Sequence, residues 1–332
     1  MGQQPGSPTL LRLYEDDDYF NIRGKGTDDA YTNGSRIDFF YIPDKPSHSA
    51  VDNVLPHAGA GSIDVYGWGI MEMMFTPKNI KDTAFQPDDY PWSGALFVTH
   101  SRASYNPVRH YLLQTEVVAG VIGPASGGGA LQAGFHRMIH YQVPEGWRHQ
   151  FRNDVLFNLN LTLEKQLLAL PSGTAARPWL ELNGGTRLSG GTMTNEASLY
   201  TLLRIGRMTP YFNGLLSQYS GPSKAQNSHK GQWQLYFTIR PQVTAVATNA
   251  LLEGGVFSKK PDEDVYTAAP DHSTTKTYSP YHRLNGLVYN VDYSAVLAFR
   301  RFSISYTQDW SSALMKGLYT HEYGDFSLYF IL

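Results

Sequence analysis

The residues of this 332-residue chain that could do chemistry gather in a few short stretches. After the break at Gly123-Pro124, three glycines (Gly127, Gly128, Gly129) lead into a segment that reads as a short helix. Gln132, His136 and His140 stand at i, i+4 and i+8, so a helix would carry them on one face. An imidazole ordinarily titrates near neutrality, which makes His136 a candidate general base. The bland reading is a histidine satisfied by a neighbouring carbonyl. A zinc pair with His140 is a third reading, but no acidic or thiol ligand stands at helical spacing to complete it.

Acidic residues cluster at Glu15-Asp16-Asp17-Asp18 and again at Asp28-Asp29. Adjacent carboxylates repel unless solvent or a cation shields them, and a hard cation such as calcium prefers oxygen ligands. The cluster is therefore either a solvated loop or half of a cation site; the twelve-residue EF-hand pattern is absent. No Gly-x-Ser-x-Gly elbow occurs, so a serine nucleophile is the weaker route to ester hydrolysis.

The elements that must position these groups read almost entirely as strands. Val155, Phe157, Leu159, Leu161 and Leu163 alternate with Asn158, Asn160, Thr162 and Glu164. Trp233, Leu235, Phe237 and Ile239 alternate with Gln234, Tyr236, Thr238 and Arg240, and Leu287 to Leu297 behaves likewise. A soluble sandwich also alternates, but its strands are usually about 5–6 residues long. Here the alternation persists for about 10 residues or more, the length that crosses a bilayer at a tilt. The fold class expected is all-β: a transmembrane antiparallel up-and-down barrel of about twelve strands with a short helix in an extracellular loop.

The strands are placed at 8–16, 31–43, 63–76, 93–104, 108–122, 152–169, 176–189, 192–206, 231–248, 284–299, 301–311 and 324–332. An even count puts both termini on the periplasmic side. The outward connections are then 17–30, 77–92, 123–151, the turn near Gly190-Gly191, 257–283 and 312–323. Among the remaining connections, 44–62 and 207–230 are long for periplasmic turns. Residues 257–283 read as a polar loop, 1–7 as a tail, and 8–332 as one barrel domain.

Composition agrees. The 22 tyrosines and 13% aromatic content suit aromatic girdles, and no apolar run is long enough for a membrane helix. A net charge of −2 argues against nucleic acid as a partner, and the absence of cysteine removes disulfides and thiolate metal sites. The start, Met1-Gly2-Gln3-Gln4, has no signal-peptide pattern, and the strand pattern favours a signal that was removed.

Four stretches together resemble the outer-membrane lipid A 3′-O-deacylase family, the LpxR type. They are Glu15-Asp16-Asp17-Asp18-Tyr19-Phe20, Asp29-Ala30-Tyr31-Thr32-Asn33-Gly34, Asp88-Asp89-Tyr90-Pro91-Trp92-Ser93-Gly94, and the helix segment. In the last, Gly120-Val121-Ile122-Gly123-Pro124 precedes Gln132-x-x-x-His136, and Pro144-x-Gly146-Trp147-x-x-Gln150-x-x-Asn153 follows. The matching stretches span about residues 10–155, and the remainder agrees in strand count and hairpin rhythm.

The resemblance implies a twelve-stranded barrel with its active site between the outer wall and a loop helix. It implies hydrolysis of the ester that holds the 3′-acyloxyacyl chain on lipid A. A histidine would activate water and calcium would stabilise the oxyanion. Carried over by motif position, His136 is the base, and Gln132, one turn earlier, orients water or substrate. Asp18 with Asp17 holds the cation, and Thr32 lines the same pocket. Lys81 and Arg137 are expected to meet the lipid A phosphates. The expected partner is lipopolysaccharide in the outer leaflet, met by a monomer in the outer membrane of a Gram-negative bacterium. Three positions depart from the family: Asp17 replaces asparagine, Gln142 stands where a related enzyme has glutamate, and the chain ends in Leu332 rather than an aromatic residue. Two other readings remain: a catalytically silent barrel that binds lipopolysaccharide or a protein, and an outer-membrane phospholipase.

Overall fold

The computed structural model describes residues 9–22, 29–43, 52, 55–172, 175–220, 233–258 and 283–332. The N-terminal tail 1–7 and most of the polar loop 257–283 lie outside them. Twelve strands close into an antiparallel barrel in which each pairs with its sequence neighbours and the first pairs with the last. They are β1 (Thr9–Asp17), β2 (Ala30–Tyr41), β3 (Ile63–Thr76), β4 (Ser93–Asn106), β5 (Tyr111–Ile122), β6 (Asp154–Ser172), β7 (Ala175–Gly191), β8 (Thr194–Arg207), β9 (Gln234–Asn249), β10 (Leu287–Ala298), β11 (Phe302–Ser311) and β12 (His321–Ile331). The helices are α1 (Gly128–Met138), α2 (Leu215–Gln218) and α3 (Ala250–Glu253). Every expected strand is present, with ends displaced by up to three residues.

The wall is inverted relative to a soluble protein. Val155, Phe157, Leu159 and Leu163 are exposed on β6, whereas Asn158, Thr162 and Glu164 are buried between them. This is the alternation of a sheet that faces hydrocarbon outside and a polar lumen inside. Closure of β1 on β12, from Leu10 opposite Ile331 to Asp17 opposite Gly324, leaves no strand edge to be hydrogen-bonded by lipid.

The lumen is filled by ion pairs and by connections folded into it. Asp38 accepts from Arg12 and Arg36, and Glu181 pairs with Arg204. At the rim bearing α1, Leu251 and Leu252 of α3 pack with Tyr31, Phe75, Tyr90, Phe151 and Met315. At the other rim, Phe212 and Leu216 pack with Tyr105, Leu112 and Tyr329. The length of the 207–230 connection is thereby explained: its described part enters the barrel rather than merely turning. Residues 55–62 lie over the outer face of β4, where Arg102 donates to the Leu55 carbonyl at 2.7 Å and Ala58 donates to Ser104 Oγ at 2.8 Å.

Candidate active site

Register arranges the outward side chains in level rows. Asp17 lies opposite Asn33, Asn33 opposite Met74, and Met74 opposite Gly94. In the next row Phe326, Glu15, Ser35, Glu72 and Leu96 stand side by side. The row below is Leu328, Leu13, Ile37, Ile70 and Val98. In these three rows the polar groups lie toward the rim, where α1 rests against the wall.

Two glycines let α1 lie there. Gly127 turns the chain with φ +80°, which side chains resist. Gly128 then rests on Gly94: a Cβ on Gly128 would stand 3.5 Å from the Gly94 Cα and 2.8 Å from Glu72 Oε1. Glu72 is buried under this first helical turn, and neither of its carboxylate oxygens accepts a hydrogen bond. Its carboxyl lies directly under the N-terminal turn of α1. On the other side, Asn153 Oδ1 accepts from Ala125 N at 2.7 Å, and Gly123 N donates to Gly94 O, so both ends of the turn are tied to the wall.

Between α1 and the wall is a cleft of about 100 Å³, lined by Glu15, Asp17, Thr32, Asn33, Ser35, Met74, Leu131, Gln132, Phe135 and His136. His136 Nδ1 is 2.6 Å from the Gln142 carbonyl oxygen. A carbonyl only accepts, so Nδ1 carries the proton and Nε2 of the neutral ring is the basic nitrogen. Satisfaction by a carbonyl and service as a base are thus not alternatives, because the first fixes the tautomer needed for the second. The bond uses the backbone of Gln142, so replacement of a glutamate side chain there leaves it intact.

Gln132 is fixed in the same manner. Trp147 Nε1 donates to its Oε1 at 2.7 Å, which turns the amide NH₂ toward the cleft as a donor. Trp147 is held by Trp92 at 5.2 Å between ring centroids, and Met74 and Ile80 complete this buried cluster. Thr32 reaches the cleft through a bulge: register slips between Tyr31 and Asn33, so Thr32 has no register partner on β3. Its hydroxyl meets Thr76 Oγ1 at 2.7 Å.

The two expected cation-binding aspartates part company. Asp17 lines the cleft, and its Oδ1 accepts from Tyr19 N at 2.7 Å. Asp18 is buried beside it but outside the lining, where its Oδ2 accepts from Asp29 N at 2.9 Å. Glu15 takes the place beside Asp17, accepting from Asn33 Nδ2 and Ser35 Oγ at 2.6 Å each. The donors offered are carboxylate, hydroxyl and amide oxygens without a thiolate, a set that fits a hard cation such as calcium. Among the described residues, no three His, Asp or Glu side chains converge as a ready ligand group.

His140 does not share the face of His136. α1 ends at Met138, Tyr141 N returns to the His136 carbonyl at 2.8 Å, and His140 sits exposed at φ +57° in the left-handed turn that stops the helix. This removes the zinc-pair geometry. Lys81 and Arg137 are exposed and do not line the cleft. Lys81 follows Ile80, which packs behind the cleft, and Arg137 follows the base on the outer side of α1.

Asn33, Ser35, Glu72 and Trp147 carried no expected role, and Glu15 was expected within the acidic cluster but not among the cation ligands. A signal for Glu15 was present: like Asp17, it shares the parity of the lipid-facing Leu11 and Leu13, a place where charge is costly without a purpose.

A solved structure shares this architecture. The solved LpxR from Salmonella typhimurium superposes with a TM-score of 0.72 at 14% identity, covering 97% of this chain and 100% of that one. The β domain of the Bordetella autotransporter BrkA gives a TM-score of 0.43 at 10% identity, covering 98% and 99%. No curated protein matches the sequence. The profile of the family described as outer membrane protein LpxR matches residues 1–332, and the chain belongs to that family.

Proposed function

We propose that this outer-membrane barrel is a lipid A 3′-O-deacylase, a carboxylic ester hydrolase that removes the 3′-acyloxyacyl chain from lipid A in lipopolysaccharide. The observation that carries the reading is the His136–Gln142 bond of 2.6 Å, which makes Nε2 the basic nitrogen of a residue lining the cleft. His136 takes a proton from water as the water oxygen attacks the ester carbonyl. It returns that proton to the departing sugar oxygen when the tetrahedral centre collapses. The Gln132 NH₂ donates to substrate or orients the water, and the Thr32 hydroxyl lines the same wall.

Asp17 and Glu15 would hold calcium at the cleft, with Asp18 behind them ordering the chain at Asp29. When bound, calcium supplies the positive charge that stabilises the oxyanion. Lys81 and Arg137, exposed and outside the cleft, would meet the glucosamine phosphates.

Placement on the outer wall supports a substrate that stays in the membrane. Leu131 and Phe135 form the lip of the cleft and are half exposed, as are Met138 and Ile139 beyond them. Such a face suits the acyl region of the outer leaflet. Withdrawing each methylene into water would cost about 0.8 kcal/mol, so lateral entry avoids a large penalty.

Mass spectrometry of lipid A from cells with and without the protein tests the reading. Loss of one acyloxyacyl unit is the expected result, abolished by His136→Ala in a barrel that keeps its heat-modifiable migration. Unchanged lipid A would sink it in favour of a silent lipopolysaccharide-binding barrel, and released lysophospholipid would indicate a phospholipase.

A further inference from the structure

Directly below the cleft the outer wall carries a second depression, of about 400 Å³, bounded by Leu13, Ile37, Ile70, Leu96, Phe326 and Leu328. It is continuous with the cleft, because Glu15 and Ser35 line both. Its upper row is the polar one, with Glu15, Ser35 and Glu72 between Phe326 and Leu96. Its lower row, Leu328-Leu13-Ile37-Ile70, is entirely apolar. One row further down stand Phe39 and Trp68, which do not line it. Rows on one face of a strand are about 7 Å apart, so the depression runs only a short way down the wall before these larger rings meet the lipid.

We infer that this depression seats the proximal part of the acyl chain being cleaved, so that Leu13, Ile37, Ile70, Phe326 and Leu328 set where along the chain the ester lies. The inference rests on the hydrolase reading for the identity of the occupant. A chain in the bilayer gains little by leaving one hydrocarbon surface for another. What the seat adds is registry: it holds the carbonyl at the level of Glu15 and Ser35, where the cleft with His136 begins. An error of about 1 Å at that level can cost about 100-fold in rate. The head of the seat is polar and its body apolar, matching an ester followed by methylenes. A wholly apolar ligand would leave Glu15 and Ser35 facing hydrocarbon.

The test fills the seat without touching the cleft. Ile70→Trp should lower kcat/KM on lipid A in mixed micelles by about tenfold or more, and should lower the ratio of long-chain to short-chain ester hydrolysis. Val98→Trp, beside Ile70 in the same row but not lining the seat, should behave as the parent protein. Equal activity of Ile70→Trp and Val98→Trp on lipid A would overturn the inference. A binding readout separates this from failure of the hydrolase reading. With the His136→Ala barrel and lipid A carrying a diazirine near the ester end of its 3′ chain, photolabel should concentrate on Leu13, Ile37 and Ile70. That label should fall in the Ile70→Trp double variant. Label spread evenly around the wall would overturn the seat, whereas focused label with no hydrolysis by the parent protein would overturn only the activity.

Discussion

Gln142 holds His136 through its backbone: the carbonyl oxygen lies 2.6 Å from Nδ1, and the side chain takes no part in that bond. Gln142→Ala and Gln142→Glu should therefore each retain activity to within about threefold, whereas His136→Ala should lose about 100-fold or more. Lipid A deacylation by purified barrel in detergent measures all three. A Gln142→Ala variant as inactive as His136→Ala would show that the side chain, not the carbonyl, governs the base.

Trp147 fixes the amide of Gln132 through a bond of 2.7 Å. Trp147→Phe keeps most of the ring packing against Trp92 and removes only the donor. The amide can then rotate, and its NH₂ no longer faces the cleft at all times. A net hydrogen bond is worth about 1 kcal/mol, so kcat should fall about fivefold with little change in melting. A rise in KM alone, with kcat preserved, would contradict a role in aligning the reaction.

The first turn of α1 rests on Glu72 and Gly94. Glu72→Ala removes the buried carboxyl on which that turn is seated. Amide hydrogen exchange across 128–134 should quicken while the strands keep their protection. Gly128→Ala should act in the same direction, because its new methyl would stand 2.8 Å from Glu72 Oε1. Gly134→Ala meets nothing within 4 Å and should stabilise α1 by about 0.5–1 kcal/mol. Equal exchange in all three variants would show that α1 is not seated through its first turn.

Tyr90 joins the two loops beside the cleft. Its hydroxyl donates to the Tyr319 carbonyl and accepts from Leu314 N, both at 3.1 Å, and burial pushes its pKa up to about 12. The neutral phenol is the form the fold favours, so its contribution is complete below the ordinary phenol value near 10 and is lost as pH rises through about 12. Protease nicking of loops 77–92 and 312–320 should increase over that interval, and Tyr90→Phe should remove this alkaline step. The same pH profile in both proteins would assign the step to another group.

Strand existence was legible because the period-two pattern is long and its polar half has no place in lipid. The cleft was only half legible. Gln132 and His136 are local to one helix, so their spacing placed them together. Asn33 and Glu15 meet by pairing across β1 and β2, and Thr32 reaches the same cleft through the slip between Tyr31 and Asn33. Neither effect has a signature within one strand. The turn at His140 was misread for a similar reason: a left-handed residue ends α1 there although the spacing alone would let it continue. Asp17 and Asp18 are neighbours in sequence but part at the end of β1, where the strand gives way to a single turn at Asp18–Phe20.

A cleft that lies on the outer face of the wall and opens sideways to the membrane meets its ligands by two-dimensional diffusion. Its occupancy then answers to their mole fraction among neighbouring lipids, and diluting the suspension with buffer leaves the rate per barrel unchanged while diluting the leaflet with inert phospholipid slows it. Crowding within the sheet of lipid, rather than concentration in the surrounding fluid, becomes the variable that governs turnover.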